Sequence, residues 1–228
     1  MNTHAPLFDS NRAIETLMLD KFRTEPFHNL RLMYGHGAAA LVPGGTCSDK
    51  TLSFVDAARK AGHDVGLHSA RIDGEEKHRL ARLNVKGRSV FADVGNGWPA
   101  LMLYPADQNV AFRCYGVGFR TEISGTSMSV FCERRGRETL QLVVDVCPIS
   151  ERKILDDIKH RDDPIHKYPF GSSIRFSQVV GDQFLFLRGD RLEIHSENSF
   201  KVVAGFPPED VSRMILEHFG FNIAPAMS

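Results

Sequence analysis

The sequence lacks a net charge: 28 lysines and arginines are matched by 28 aspartates and glutamates over 228 residues. Balanced bulk electrostatics give no drive toward nucleic acid or an anionic membrane, and leave room only for a local basic patch that meets a phosphorylated cosubstrate. No apolar run is long enough to cross a bilayer, and Met1 to Asn11 lacks the basic, apolar and small-residue order of a secretory leader. The four cysteines, at 47, 114, 132 and 147, show no Cys-x-x-Cys spacing. The last three read as apolar fillers of strands rather than bridge partners. Gly95-Asn96-Gly97 is followed by no Lys-Ser/Thr and does not extend to Gly-x-Gly-x-x-Gly, so it is no nucleotide fingerprint. Repeats and low-complexity tracts are absent too. The expectation is a soluble, cytoplasmic protein with a substantial core and neither nucleic-acid nor membrane partners.

What is present begins with helical patterning. Ser10 is placed to cap a segment containing Ile14, Leu17 and Met18, which ends near Glu25-Pro26. Phe27 to Tyr34 then leads through Gly35, Gly37, Pro43, Gly44 and Gly45 to Thr46-Cys47, directly before the helical spacing of Leu52, Phe54, Val55 and Ala58. From Val65 the period becomes that of strands: Val65 to Ile72, His78 to Val85 and Ser89 to Val94, with turns at Asp73-Gly74 and Lys86-Gly87. Further strand-like runs are Ala111 to Val117, Ser127 to Cys132, Thr139 to Val146, Ser173 to Val180, Gln183 to Arg188 and Arg191 to His195. Helices are expected over Ile149 to Lys159 and Pro208 to Phe219. The charged stretch Glu133 to Glu138 reads as a solvated turn. Short strands after a helical start suggest an antiparallel barrel or a strongly curved sheet.

Cys47 is the residue on which chemistry converges. A thiol at the start of a helix meets unpaired backbone N–H groups and the positive end of the helix, both of which favour the nucleophilic thiolate. It needs a base, and the base needs an acceptor on its second nitrogen. If Lys86-Gly87 is a two-residue turn, Val85 faces Arg88, and counting outward sets Leu80 opposite Asp93. His78 and Asp93 then share a face as diagonal neighbours, about 7–8 Å apart at Cα, within reach of a hydrogen bond. Asp93 also reads as a strand end that seeds the following turn, and His68 is a competing base without an equally placed acid. His36, between Gly35 and Gly37, reads as a loop residue. The scattered ligand types do not make compact zinc spacing, so no metal is expected.

Pro26-Phe27-His28-Asn29-Leu30, Gly44-Gly45-Thr46-Cys47, Ser69-Ala70-Arg71, His78-Arg79-Leu80 and Asp93-Val94-Gly95-Asn96-Gly97-Trp98-Pro99 together resemble the arylamine N-acetyltransferase family. The likeness continues faintly through His166 to Ser172 and Phe176. It implies an α+β fold with an N-terminal helical bundle (1–64) carrying the nucleophile, a central antiparallel β-barrel (65–148) carrying His78 and Asp93, and a small C-terminal α/β lid (149–228) around a papain-like catalytic core. It implies a Cys47-His78-Asp93 triad, an acyl-CoA cosubstrate with no tightly bound cofactor, and ping-pong transfer through an acyl-Cys47 to a small-molecule amine. Three positions depart from the family pattern: Pro43 stands for a common arginine, His28 for a glutamate and Asn96 for a phenylalanine. The first two imply a missing ion pair; the third makes the turn beside the site more polar and disfavours an aromatic amine. The alternatives are an amide synthase or acyltransferase fed by a carrier-protein thioester, a thioesterase or amidase with the same triad, a non-catalytic scaffold and a cysteine protease.

Overall fold

The structure, a computed structural model, describes residues 5–161 and 172–227, with side chains from Asn11 onward. Four helices open the chain: α1 (Ala5–Thr24), α2 (Leu30–Tyr34), α3 (His36–Ala39) and α4 (Cys47–Lys60). Helix α1 starts before Ser10, so Ser10 is not its cap. The two-residue strand β1 (Phe27–His28) lies between α1 and α2.

Eight strands then form one antiparallel sheet: β2 (Val65–Ile72), β3 (Glu75–Val85), β4 (Arg88–Ala92), β5 (Tyr104–Pro105), β6 (Ala111–Cys114), β7 (Val117–Ser124), β8 (Ser127–Arg134) and β9 (Arg137–Asp145). Its order is β5-β4-β3-β2-β9-β8-β7-β6. The edge strands β5 and β6 are not hydrogen-bonded to each other, so the sheet is a curled half-barrel: the strongly curved sheet the strand pattern allowed, rather than the β-barrel the resemblance implies. Tyr104 on one edge stacks on Phe112 of the other at 5.9 Å, so aromatic packing draws the edges together where a ladder would have closed them. Tyr115-Gly116 makes a hairpin turn with φ of 52° and 73°, which divides the run expected as Ala111 to Val117 between two strands. Arg135-Gly136 turns in the same way (φ 54° and 75°), matching the expected turn in the charged stretch.

Helix α5 (Glu151–Lys159) follows, capped by the Ser150 side chain. A second antiparallel sheet is ordered β1-β10-β11-β12-β13, with β10 (Arg175–Val180), β11 (Gln183–Arg188), β12 (Arg191–His195) and β13 (Phe200–Ala204). Strand β1 joins it by pairing Phe27 with Ser177 and His28 with Phe176. Helix α6 (Val211–Phe219) ends at Gly220 in the left-handed conformation. The faint motif over residues 166–171 lies outside the described residues.

Two apolar clusters hold these layers. One packs Ile14, Met18 and Phe22 of α1 and Phe54, Val55 and Ala58 of α4 on the inner face of the curled sheet. Burial of a side chain such as Phe54 or Val55 stabilises by about 1.5–3 kcal/mol. The other packs Leu30, Phe176, Leu187, Met214, Ile215 and Phe219 between the second sheet and α6. Among the described residues no helix is long and apolar enough to cross a membrane.

Candidate active site

The glycine pair aims Cys47. Gly44 and Gly45 have φ of 90° and 138°, a region that side chains with a Cβ rarely adopt. A Cβ on Gly44 would stand 2.3 Å from the Pro26 carbonyl oxygen, so the loop approaches β1 as only glycine can. His28 N–H donates to Gly45 O at 2.9 Å and Gly45 N–H to Pro26 O at 3.1 Å, which ties the loop to the second sheet. Thr46 is the N-cap of α4; its backbone N–H (3.0 Å) and hydroxyl (2.9 Å) both donate to Asp49 Oδ2. This Thr-x-x-Asp signal is legible in the sequence and marks the helix start. The other Asp49 oxygen pairs with Arg161 at 2.7 Å. Cys47 is therefore the first residue of α4, as expected, and its thiol is partly exposed.

The β3–β4 hairpin supplies the partners. Val85 pairs with Arg88 across Lys86-Gly87, whose φ values are 52° and 82°. Asp93 follows the last residue of β4, and His78 Nε2 lies 2.6 Å from Asp93 Oδ1. With Nε2 so engaged, Nδ1 is the nitrogen left for the neighbouring Cys47 thiol, whose Sγ lies 3.8 Å from Lys77 O. Asp93 is fully buried and His78 nearly so. Burial alone would push the Cys47 thiol up, but the hydrogen bond and charge of His78, with the nearby Arg79 guanidinium, hold it below its ordinary value. Burial would lower His78 too; Asp93 outweighs it by charge and hydrogen bond, with Cys47 assisting, and raises the imidazole. Both shifts run in the direction that favours a thiolate beside an imidazolium over the neutral pair.

The turn after Asp93 packs against both partners. A Cβ on Gly95 would stand 2.7 Å from Arg79 O and 2.9 Å from the Cys47 Cβ, so this position demands glycine for close approach. Asn96, expected to add polarity facing an acceptor, is instead 4% exposed and spends its amide within the protein. Its Nδ2 donates to Asp93 Oδ2 at 2.9 Å, while its Oδ1 accepts from Trp98 N–H at 3.0 Å and from Gln141 Nε2 at 3.2 Å.

Cys47 and His78 open on a cavity of about 440 Å³ bordered by Phe27, Trp98, Arg134, Gln141, Arg175 and Phe186. Trp98 stacks on Phe186 at 4.6 Å and carries the Arg134 guanidinium at 4.3 Å on its ring. Ser177 Oγ donates to Gly97 O at 2.8 Å, so the second sheet forms one wall and braces the turn.

The other sequence candidates lie elsewhere. His68 is buried, with Nε2 at 2.7 Å from Asp145 O and its ring 5.0 Å from Phe91, outside the triad. His36 opens the short helix α3. Cys114 and Cys132 lie on strands, but Cys147 is exposed beyond β9, where its N–H meets Asp145 Oδ1 at 3.0 Å; it fills no strand. All four cysteines are free. His28 stacks on Phe176 at 5.7 Å, beside the backbone of Val42 and Pro43. The two departures at 28 and 43 are thus neighbours in space. Buried with neither ring nitrogen in a well-formed hydrogen bond, His28 is pushed down to about 4, chiefly by desolvation.

Neither a family model nor a curated relative matches the sequence. Solved structures do match it. Mycobacterium smegmatis arylamine N-acetyltransferase is 17% identical with a TM-score of 0.76, covering 94% of this chain and 87% of its own. The Nocardia farcinica arylamine N-acetyltransferase is 20% identical, with a TM-score of 0.75 and coverage of 91% and 82%. The Mycobacterium marinum enzyme in complex with CoA is 16% identical, with a TM-score of 0.78 and coverage of 95% and 88%. Helices, curled sheet and second sheet together give this chain the fold of the arylamine N-acetyltransferases.

Proposed function

We propose that the protein is a thiol acyltransferase that takes an acyl group from an acyl-CoA thioester onto Cys47 and delivers it to an amine. The observation that carries this reading is the polarised thiol: Cys47 at the first turn of α4, beside a His78 whose Nε2 is held 2.6 Å from buried Asp93, with Cys47 and His78 both lining one cavity. The likeness to a fold neighbour solved with CoA supports the donor class.

The order of events follows papain-like chemistry. The Cys47 thiolate attacks the thioester carbonyl, and the new Sγ–C bond gives a tetrahedral oxyanion. The Cys47 backbone N–H, at the helix start, and one donor from the 93–97 turn are proposed to hold that oxyanion. Collapse breaks the C–S bond to CoA, and the His78 imidazolium gives its proton to the departing thiolate. Neutral His78 then takes a proton from the amine as it attacks the acyl carbon, and the second collapse returns the Cys47 thiolate and the imidazolium. Asp93 keeps the imidazole oriented throughout. In this reading residues 1–64 supply the nucleophile, 65–148 the base and its orienter, and 149–228 a lid that contributes Arg175 and Phe186 to the cavity wall. Four free cysteines fit a reducing compartment and support a cytoplasmic location in this reading.

A second reading rests on access to the thiol: Cys47 is partly exposed and lines a cavity of about 440 Å³. A more open site favours a carrier-protein thioester arm, as in an amide synthase, or admits water, as in a thioesterase or amidase. Intact-protein mass spectrometry after brief exposure to acetyl-CoA, longer acyl-CoAs and an acyl-carrier thioester separates these. The expected result is an acyl increment on Cys47 from a CoA donor, absent in Cys47→Ala and discharged by amines faster than by water. An increment only from the carrier favours the second reading. No increment from any donor, with a folded protein and reduced thiol, contradicts both.

A further inference from the structure

We propose that Asn96 is a positioning residue, the fourth member of a Cys47-His78-Asp93-Asn96 chain, which orients the Asp93 carboxylate toward His78. The inference rests on the triad reading above and concerns how that triad is held.

Three bonds fix the orientation of the Asn96 amide. The Trp98 backbone N–H can only donate, so the amide atom 3.0 Å from it must be Oδ1. Gln141 Nε2 gives that same oxygen a second hydrogen at 3.2 Å. Nδ2 is thereby directed at Asp93 Oδ2, 2.9 Å away, leaving Oδ1 of the carboxylate to His78. A fully buried carboxylate needs both oxygens satisfied. A neutral donor meets that need without a competing cation, which would draw Asp93 away from His78. Asn96 sits three residues beyond Asp93, and the Trp98 and Gln141 bonds anchor it to the turn and to β9, so the carboxylate is held from two directions. Replacing this residue by an apolar one would leave the buried Asp93 Oδ2 without this donor and weaken the orientation of His78.

The test is the pH dependence of Cys47 alkylation by iodoacetamide, a readout of thiolate that needs no acyl donor. The charged and titratable groups around the thiol are His78, Lys77 and Arg79 on β3, Asp73 in the β2–β3 turn, Arg134 on β8 and Arg175 on β10, with Tyr104 beside Asp93. All are retained in the variants. The wild-type midpoint is expected below the ordinary thiol value of about 8.5. In Asn96→Leu it should move up toward that value, and the rate of Cys47 acylation should fall roughly tenfold, the scale of one hydrogen bond to a buried charge. Gln141→Leu, which leaves the Trp98 bond in place, should move both in the same direction by less. A folded Asn96→Leu with the wild-type midpoint and acylation rate overturns the proposal; if that variant does not fold, the same readouts on Asn96→Ser decide. A wild-type midpoint near 8.5 would instead overturn the triad reading itself, which keeps the two failures distinct.

Discussion

His28 touches the glycine loop that delivers Cys47 and His78 lines the same cavity as Cys47, and both are almost wholly buried, at 1% and 5% exposure. Their protonation is opposite. His78 has a carboxylate on one nitrogen and the Cys47 thiol nearby, and is raised as a base. His28 has an aromatic ring on one face and no well-formed hydrogen bond at either nitrogen, and is pushed down to about 4. Burial penalises the cation at both places, so the partner decides whether a buried imidazole becomes chemistry or packing. Lys50, fully buried on α4, follows the His28 pattern: it donates to the carbonyls of Lys21 and Glu25, and desolvation lowers it to about 7 despite the nearby Glu25 charge.

The largest effect comes from making His78 resemble His28. Asp93→Asn removes the charge that raises His78, so Cys47 acylation should fall on the order of 10⁴-fold, measured by single-turnover mass spectrometry. An acylation rate within tenfold of wild type would break the contrast.

A smaller effect sits on the other histidine and concerns stability. Because the folded-state value of His28 lies near 4 and the ordinary value is 6.5, the unfolded chain takes up a proton below 6.5 that the folded chain refuses until about 4. Folding stability is therefore lost as pH falls through that window, by roughly 3 kcal/mol at its lower end. His28→Phe keeps the stack on Phe176 and removes this loss, so its urea-unfolding free energy should decline less than the wild type's between pH 7 and pH 4.5. Parallel declines would show that His28 titrates normally.

The smallest effect is at the cap. Asp49→Asn weakens the reciprocal cap on Thr46 and the Arg161 ion pair, so thermal unfolding should report a loss of about 1 kcal/mol with the alkylation midpoint of Cys47 only slightly raised. A large rise in that midpoint would move the weight of thiolate stabilisation from His78 to the helix start.

The juxtaposition of His78 and Asp93 was legible because it depends on short-range rules. A two-residue turn fixes the register of β3 and β4, and strand parity then brings His78 to Asp93 without knowledge of the rest of the fold. The glycine pair before Cys47 permits a close approach, and the structure supplies its object, the Pro26 carbonyl. What was missed depends on distant pairing or unusual turn chemistry. Phe27-His28 pairs with Phe176-Ser177 far along the chain, and nothing local marks so short a segment as a strand. Strand β7 was hidden because tyrosine at positive φ is an uncommon hairpin residue, so Tyr115-Gly116 did not announce a turn. Strand β13 is exposed at four of its five residues and shows no burial alternation to betray it. Asn96 was legible as a polar exchange; its direction was not, because the Gln141 that anchors it lies 45 positions further along.

The most direct test of this contrast is a nitrogen-15 NMR titration of the imidazoles, with His28→Phe and His78→Gln assigning the two signals. The account predicts that His78 remains an imidazolium well above 6.5 while His28 stays neutral until the pH approaches about 4. Two ordinary titrations near 6.5 would contradict it, and with it the claim that Asp93 makes one buried histidine a catalytic base while its neighbour packs as an aromatic ring.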